Sequence, residues 1–428
     1  MKTEQSAFFN ADGFNKCNKI MLSCAIVLIV VGIVFVFSAD NSNISFSSKG
    51  IKQIIFSLLA VIPAVFFTIL DHRKTASENF LKAALIFFLV LLIPLAFCGA
   101  YYKITEKFRP TYVTLKNGTQ KAVGKEIPLK VKIAGQNFGI WRINGAYRWI
   151  ILGPVNFQPS VFIKIILILF TALKLSQSAG RERTVDKLRR IKTESVGVVS
   201  PFAGVVSKNK DIIIFSLLTI ILIVAQPSNS VAVSILLVLI AMFALKSTKK
   251  LTKALPLLLL GTILLFVAVW GINSNFRERI IKRGDNYQSR QALLAIGSGG
   301  VFGLGIGNGE AKYNRLPEIE NDYIFAIIAE ETGFVGALIF LLVYISFILA
   351  GFKTAIEADD GFSKLTAFGF TINYAFSFLF HLFVNLGFVS TGASLPFVSY
   401  GGTAVIADAV ALGILLNISS SKYGRIKV

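Results

Sequence analysis

Long apolar runs recur along the whole chain, and they constrain its fold more than any other feature. A helix needs about 20 mostly apolar residues to cross a hydrocarbon core about 30 Å thick. Runs of that kind occur at 20–38, 51–70, 81–101, 159–177, 211–226, 230–246, 253–271, 323–350, 365–388 and 402–419. Lipid offers no water to backbone amides and carbonyls, so each span must be helical. The expected fold is all-α: a polytopic membrane protein with about ten transmembrane helices, forming one integral-membrane domain over residues 1–428. Only 16% of the residues are charged and 54% are hydrophobic, against about 25% charged in soluble chains. That excludes a cytosolic enzyme, a secreted disulfide scaffold and a disordered chain. Cys17, Cys24 and Cys98 lack CxxC spacing, and His72 and His381 lie far apart without an HExxH pattern. No disulfide framework or metal-ligand set follows from them. The first run, starting near Ile20, lacks a small-residue cleavage site and reads as a retained span.

Charge sets the orientation. The chain carries 44 Lys and Arg against 23 Asp and Glu, a formal net charge of +21. In water that excess would suggest nucleic acid. In a bilayer it reflects basic cytoplasmic loops and anionic membrane lipids as partners, so no nucleic acid is expected. The densest basic cluster, Arg181, Arg183, Lys187, Arg189, Arg190 and Lys192, lies in 178–210. Short loops decide topology. They place 178–210 inside together with 71–80, 247–252 and 351–364, and both termini in the cytoplasm. Two long segments, 102–158 and 272–322, are then external. Both are themselves basic, either as solvated loops near headgroups or as handlers of an anionic substrate.

Polar residues at the membrane are costly and therefore mark candidate sites. One cluster runs Asn144-Gly-Ala-Tyr-Arg148-Trp149, then Gln158-Pro-Ser160 and Lys164. Its bland reading is a snorkelling lysine and an interfacial tryptophan. A second runs from Gln291 through a glycine-rich stretch to Leu316-Pro-Glu318 and Asn321-Asp322-Tyr323, with Glu330 and Glu331 about two turns deeper. Its G-x-G-x-x-G match lacks a βαβ context, so a re-entrant or surface-lying helix fits better than a dinucleotide site. Asp322 stands where a helix begins and could serve merely as its cap. The third cluster, Gly392-Ala-Ser-Leu-Pro-Phe-Val-Ser399-Tyr400-Gly-Gly-Thr403, forces an irregular approach to the last span. On the charge-derived topology all three lie on the outer side.

These clusters resemble the SEDS family (shape, elongation, division and sporulation), the FtsW, RodA and SpoVE peptidoglycan polymerases. The family's G-A-x-R-W-I and F-Q-P-S…K motifs match Gly145–Ile150 and Phe157–Lys164. Its A-I-G-S-G-G…L-P-E…D-F-I-F-A-I-I-A-E-E-x-G-F run matches Ala295–Phe334, and its L-P-F-x-S-Y-G-G…G-I-L-L-N-I-S ending matches Leu395–Ser419. Phe37-Ser38-Ala39 is similar to the family's Y-S-A. The wording leans toward the FtsW/SpoVE branch. Val161 stands where the family usually has Glu, and Ser228, Val231 and Val389 also depart from its pattern.

The resemblance implies a glycosyltransferase that polymerises lipid II on the outer face of the bacterial cytoplasmic membrane, in division or related wall synthesis. It implies Asp322 as general base. It also implies substrate contacts from Arg148, Trp149, Gln158, Ser160, Lys164, Glu318, Ser399 and Tyr400. It fixes no cofactor, and a divalent cation, Mg or Mn, held by Asp322 at the pyrophosphate is the alternative role for that carboxylate. The implied partner is a class B penicillin-binding transpeptidase, since no S-x-x-K motif in a periplasmic domain of adequate size is present here. The competing readings are a lipid II flippase and a non-catalytic scaffold for that transpeptidase.

Overall fold

The computed structural model describes residues 16–40, 48–73, 77–108, 111–114, 120–123, 130–133, 136–143, 146–152, 155–189, 210–226, 228–248, 287–313, 316, 318–389 and 392–421. Helices are α1 (Lys16–Ala39), α2 (Lys49–Ile69), α3 (Glu78–Phe108), α4 (Pro159–Arg189), α5 (Lys210–Ala225), α6 (Asn229–Thr248), α7 (Tyr287–Ser298), α8 (Ile324–Glu357), α9 (Gly361–Asn385) and α10 (Gly402–Ser421). Eight of them are long and apolar enough to span a membrane. The expected span at 211–226 is the 16-residue α5. The one at 253–271 lies outside the described residues, as do Arg190 and Lys192 of the basic cluster, whereas 178–189, expected as the start of a loop, continues α4 and carries Arg181, Arg183, Lys187 and Arg189.

The chain divides into two compact units. The first comprises 1–75, 175–193 and 237–428. In it α2 packs along α10, α1 along α8, and α8 along α9. The α2–α10 seam is built on Ala60, Val405 and Ala409, small side chains that let two helices approach closely without help from water. At one end of the seam Asn417 Nδ2 donates to Thr68 O (2.7 Å). At the other, Gly401 N donates to Gln53 Oε1 (3.4 Å). Loops 71–80 and 351–364, both expected inside, meet through Arg73 Nη2 and Asp360 Oδ1 (2.7 Å).

The second unit comprises 76–174 and 194–236. In it α3 packs on α5, and Gln226 Nε2 donates to Leu92 O (3.2 Å). The segment read from sequence as an external loop carries strands: β1 (Thr111–Thr114), β2 (Gln120–Val123), β3 (Lys130–Ile133), β4 (Gln136–Ile143), β5 (Ala146–Leu152) and β6 (Val155–Phe157). β1 and β2 pair with each other, and β3-β4-β5-β6 form an antiparallel sheet in sequence order. β5 rests on α3, where the buried Tyr147 ring lies 6.2 Å from that of Tyr102. The fold thus remains mostly helical, with a small sheet added outside the spans.

α8 is unusual. At 34 residues it is about 51 Å long, well beyond a hydrocarbon core. It breaks at Gly333, where φ is 69° and ψ is −170°, a conformation open essentially to glycine alone. The glycine-rich loop pairs with the break: Phe334 N donates to Gly300 O (2.9 Å) and Val335 N to Val301 O (3.1 Å), while Leu304 N and Gly305 N donate to the carbonyls of Glu330 and Glu331 (3.0 Å each). A Cβ on Gly303 would collide with Glu331 O. The glycines of this motif therefore serve close backbone pairing with a broken helix. The remaining 334–357 segment is about 36 Å long and spans a core unaided.

Candidate active site

In the first unit the second and third sequence clusters converge at the start of α8. Ser399 Oγ donates to Asn321 O (2.6 Å) and accepts from Leu395 N (2.7 Å). Tyr400 N donates to Glu320 O (2.9 Å). Two backbone stretches far apart in sequence are thus laced together, and Ser399, 4% exposed, is a staple between them. Glu320 is buried and paired with Lys49 at the start of α2. Glu318 sits at φ 57°. Its carbonyl accepts from Asn321 N (3.0 Å) and Asp322 N (2.9 Å), and its Oε2 accepts from Asn321 Nδ2 (3.0 Å). This left-handed turn presents Asp322 at the head of α8.

Asp322 is half-buried, and the chain turns closely over it at Gly392. A Cβ at 392 would stand 2.5 Å from Asp322 Oδ2. Burial, the Asp322 charge and a hydrogen bond with Ser289 act on Tyr323, whose phenol is pushed up to about 12 and stays neutral. Burial likewise raises Tyr400, reinforced by the charges of Glu320 and Asp40. The site therefore combines a carboxylate with neutral phenols at the outer end of the helices on the charge-derived topology.

Glu330 and Glu331 are structural anchors. Both are buried. Glu330 accepts from Glu310 N (2.9 Å) and Ala311 N (3.2 Å). Glu331 accepts from Gly307 N (3.0 Å), Gly309 N (3.2 Å) and Ser38 Oγ (2.5 Å) and pairs with Lys312 (3.4 Å). These bonds satisfy charges that burial would otherwise make costly. They pin the glycine-rich loop to the short half of α8, and they give Ser38 its role.

The first sequence cluster lies in the second unit. Arg148 and Trp149 are neighbours on β5, with the guanidinium carbon 6.0 Å from the Trp149 ring centroid. Trp149 is paired in register with Trp141 of β4. Gln158 Nε2 donates to Ser160 Oγ (3.1 Å) at the start of α4, so these two side chains serve each other. Lys164, partly exposed, follows about one turn later. Among the described residues no three His, Cys, Asp or Glu side chains converge as a metal cage.

Sequence reasoning missed Asn385. It ends α9 fully buried. Its Oδ1 accepts from Ala326 N (3.1 Å) and its Nδ2 donates to Asp322 O (3.0 Å). An amide inside an apolar run is costly in lipid, and that signal would have singled it out.

Comparison with known proteins places this arrangement. The model of the FtsW/RodA/SpoVE family, described as cell cycle protein, matches residues 133–424. The chain belongs to that family. It is 34% identical over 289 residues to the probable peptidoglycan glycosyltransferase FtsW of Thiomicrospira cyclica, covering 64% of this chain and 69% of that one. It is 30% identical over 297 residues to stage V sporulation protein E of Bacillus subtilis, covering 66% and 73%. Among solved structures, the rod shape determining protein RodA of Thermus thermophilus superposes with a TM-score of 0.59 at 21% identity, covering 94% of this chain and 97% of that one. A chain of a peptidoglycan synthase complex that coordinates polymerization and crosslinking gives 0.63 at 20% identity with the same coverage. At such identities the structures show a shared fold.

Proposed function

We propose that this chain is a peptidoglycan glycosyltransferase of the bacterial cytoplasmic membrane, polymerising lipid II on its outer face. The observation that carries the reading is Asp322. Its peptide is fixed by a left-handed turn and by Asn385, its carboxylate lies under the Gly392 turn, and α8 takes its cap from elsewhere. In the reaction an acceptor sugar hydroxyl attacks C1 of the donor, and the bond from C1 to the undecaprenyl pyrophosphate oxygen breaks. The hydroxyl proton passes to Asp322 and the pyrophosphate leaves with the bonding pair. Arg148 and Lys164 are the cations suited to the anionic leaving group, and Trp149 offers an aromatic face to sugar. In the first unit Glu318, Ser399 and Tyr400 shape the backbone around Asp322, and in the second Gln158 and Ser160 pair at the start of α4.

A divalent cation at Asp322 is the alternative role for that carboxylate. Among the described residues it has no protein cage, so its remaining ligands would come from pyrophosphate and water, as is usual for Mg²⁺. The family resemblance and the fold shared with a chain of the synthase complex support a class B penicillin-binding transpeptidase as partner, which would cross-link the product.

The test is incubation of the purified protein with fluorescent lipid II, with and without that partner. Glycan ladders are expected from the wild type. Ladders from Asp322→Asn would remove the general-base assignment, and a wild type that makes no polymer in either condition would favour a scaffold or flippase. Arg148→Ala is expected to weaken lipid II use about ten- to a hundredfold, the loss of one charge-assisted hydrogen bond.

A further inference from the structure

We propose that Asn385 is a positioning residue for Asp322, acting by capping α8 from a neighbouring helix so that the aspartate is not the cap. A helix of this kind exposes its first amides, and the residue before it normally supplies a side-chain acceptor to the second or third of them. Tyr323 is the N-cap of α8 and makes no side-chain capping bond. The third amide, that of Ala326, is shared between the Tyr323 carbonyl (3.0 Å) and Asn385 Oδ1 (3.1 Å), so the side-chain acceptor comes from α9.

The orientation of the Asn385 amide follows from its other bonds. Its Nδ2 faces two carbonyls, Asp322 O (3.0 Å) and His381 O (2.8 Å), so only the oxygen can face the Ala326 amide. One side chain, wholly excluded from solvent, therefore both ends the helix and holds the Asp322 peptide. One turn earlier on α9, His381 Nδ1 lies 2.6 Å from Ala393 O, and that nitrogen must carry the proton. Ala393 follows Gly392, whose Cα runs close over the Asp322 carboxylate. Residues four apart share a helix face. The end of α9 thus fixes both walls of the site, Asn385 on the backbone of the aspartate and His381 on the segment above its side chain.

This rests on the reading of Asp322 as general base, and the experiment separates the two. Polymerisation of fluorescent lipid II is followed across pH for the full chain as wild type, Asn385→Ala, Asn385→Asp and Asp322→Asn. Asn385→Asp keeps an acceptor for Ala326 N but sets an oxygen against two carbonyls, so α8 stays capped while the grip on Asp322 is lost. Displacing a reacting group by about 1 Å costs on the order of a hundredfold, and that fall in kcat is expected in both Asn385 variants. KM should stay within about threefold, since the interaction lost acts in the transition state. The acidic limb of the pH–rate profile should also move. Wild-type kcat and an unmoved limb in folded Asn385 variants would overturn the positioning role, and so would failure of both to fold, which would make Asn385 a residue of the fold alone. Retained activity in Asp322→Asn would overturn the general base itself. An inactive Asp322→Asn beside unaffected Asn385 variants would overturn only the present inference.

Discussion

Two aspartates stand before long helices at opposite ends of the first unit, and they are used differently. Asp360 is the N-cap of α9. Its Oδ2 accepts from Ser363 N (3.1 Å), and its Oδ1 accepts from Ser363 Oγ (2.7 Å) and Arg73 Nη2 (2.7 Å). Burial acts to raise its carboxyl, but the Ser363 bonds and the Arg73 charge outweigh it and hold the group below its ordinary value. Asp322 precedes α8, yet the capping acceptor there is Asn385. Asp360 is thus the N-cap itself and serves structure, whereas Asp322 stands one residue before the N-cap Tyr323 and is the group proposed for chemistry. What distinguishes them is their place relative to the helix and the partner brought in by the fold.

The sharpest way to break this comparison is to make the same substitution at both places. Asn caps as well as Asp but has no basicity. Asp322→Asn should therefore lower polymerisation by about 10²–10⁴ at little cost in thermal stability. Asp360→Asn should leave turnover per folded molecule unchanged; its one oxygen keeps the Ser363 N cap, while the Ser363 Oγ bond accepted by the other oxygen and the Arg73 pair are lost, the latter a surface contact of about 0–1 kcal/mol. Equal effects on turnover would erase the distinction.

The next effect concerns the wall over Asp322. Gly392→Ala would put a Cβ 2.5 Å from Asp322 Oδ2, so one of them must shift. Turnover should fall roughly ten- to a hundredfold with lipid II binding retained. Turnover at the wild-type level would mean that the turn yields without moving the carboxylate.

Gly333→Ala tests the broken helix beneath the site. Its φ of 69° and the Gly303 amide, which an added Cβ would strike, leave no room for a side chain. The backbone strain alone is about 1–3 kcal/mol. A clear drop in the thermal unfolding midpoint is expected in detergent, together with faster proteolysis within 299–313. An unchanged midpoint would mean that the loop is not held by the break.

The two aspartates also show how far a sequence carries. The spans were legible because apolar length is a property of the chain alone, and Asp322 was singled out because its neighbours along the chain match a family. The difference between Asp322 and Asp360 was not, because Asn385 and Ala326 are 59 residues apart and either aspartate reads locally as a cap. Glu330 and Glu331 looked like deeper site residues, but their partners sit on an earlier loop that only folding brings back. The sheet was missed for another reason. Its strands are short and lie in a basic segment, where a search for spans sees only a loop. The pair Asn144-Gly145, between runs ending Ile140-Trp-Arg-Ile143 and starting Ala146-Tyr-Arg-Trp149, was the available hairpin signal.

The smallest effect belongs to the Asp360 end and bears on stability rather than rate. His72 lies there buried, with Nδ1 2.5 Å from Asn417 Oδ1 and Nε2 2.6 Å from Ser363 Oγ. Asp71 and Asp360 favour its protonation and Arg73 opposes it, but burial is the largest influence and pushes the imidazole below 6.5. The unfolded chain then takes up a proton near 6.5 while the folded one does so only at lower pH. Between those two points unfolding binds protons, so stability falls as pH falls and levels off below the folded value. Asp360, depressed below 3.8, contributes stability that is lost only further down, as pH drops through its own folded value. The thermal midpoint of the wild type should therefore begin to decline below about pH 6.5, with a second decline near the carboxylate range. His72→Gln removes the titrating group and should lose the upper step, although its midpoint near neutrality will be lower because buried hydrogen bonds are disturbed. The same upper step in both proteins would place that proton elsewhere. The same step in turnover per folded molecule would mean that the two ends of this unit are not separate in function.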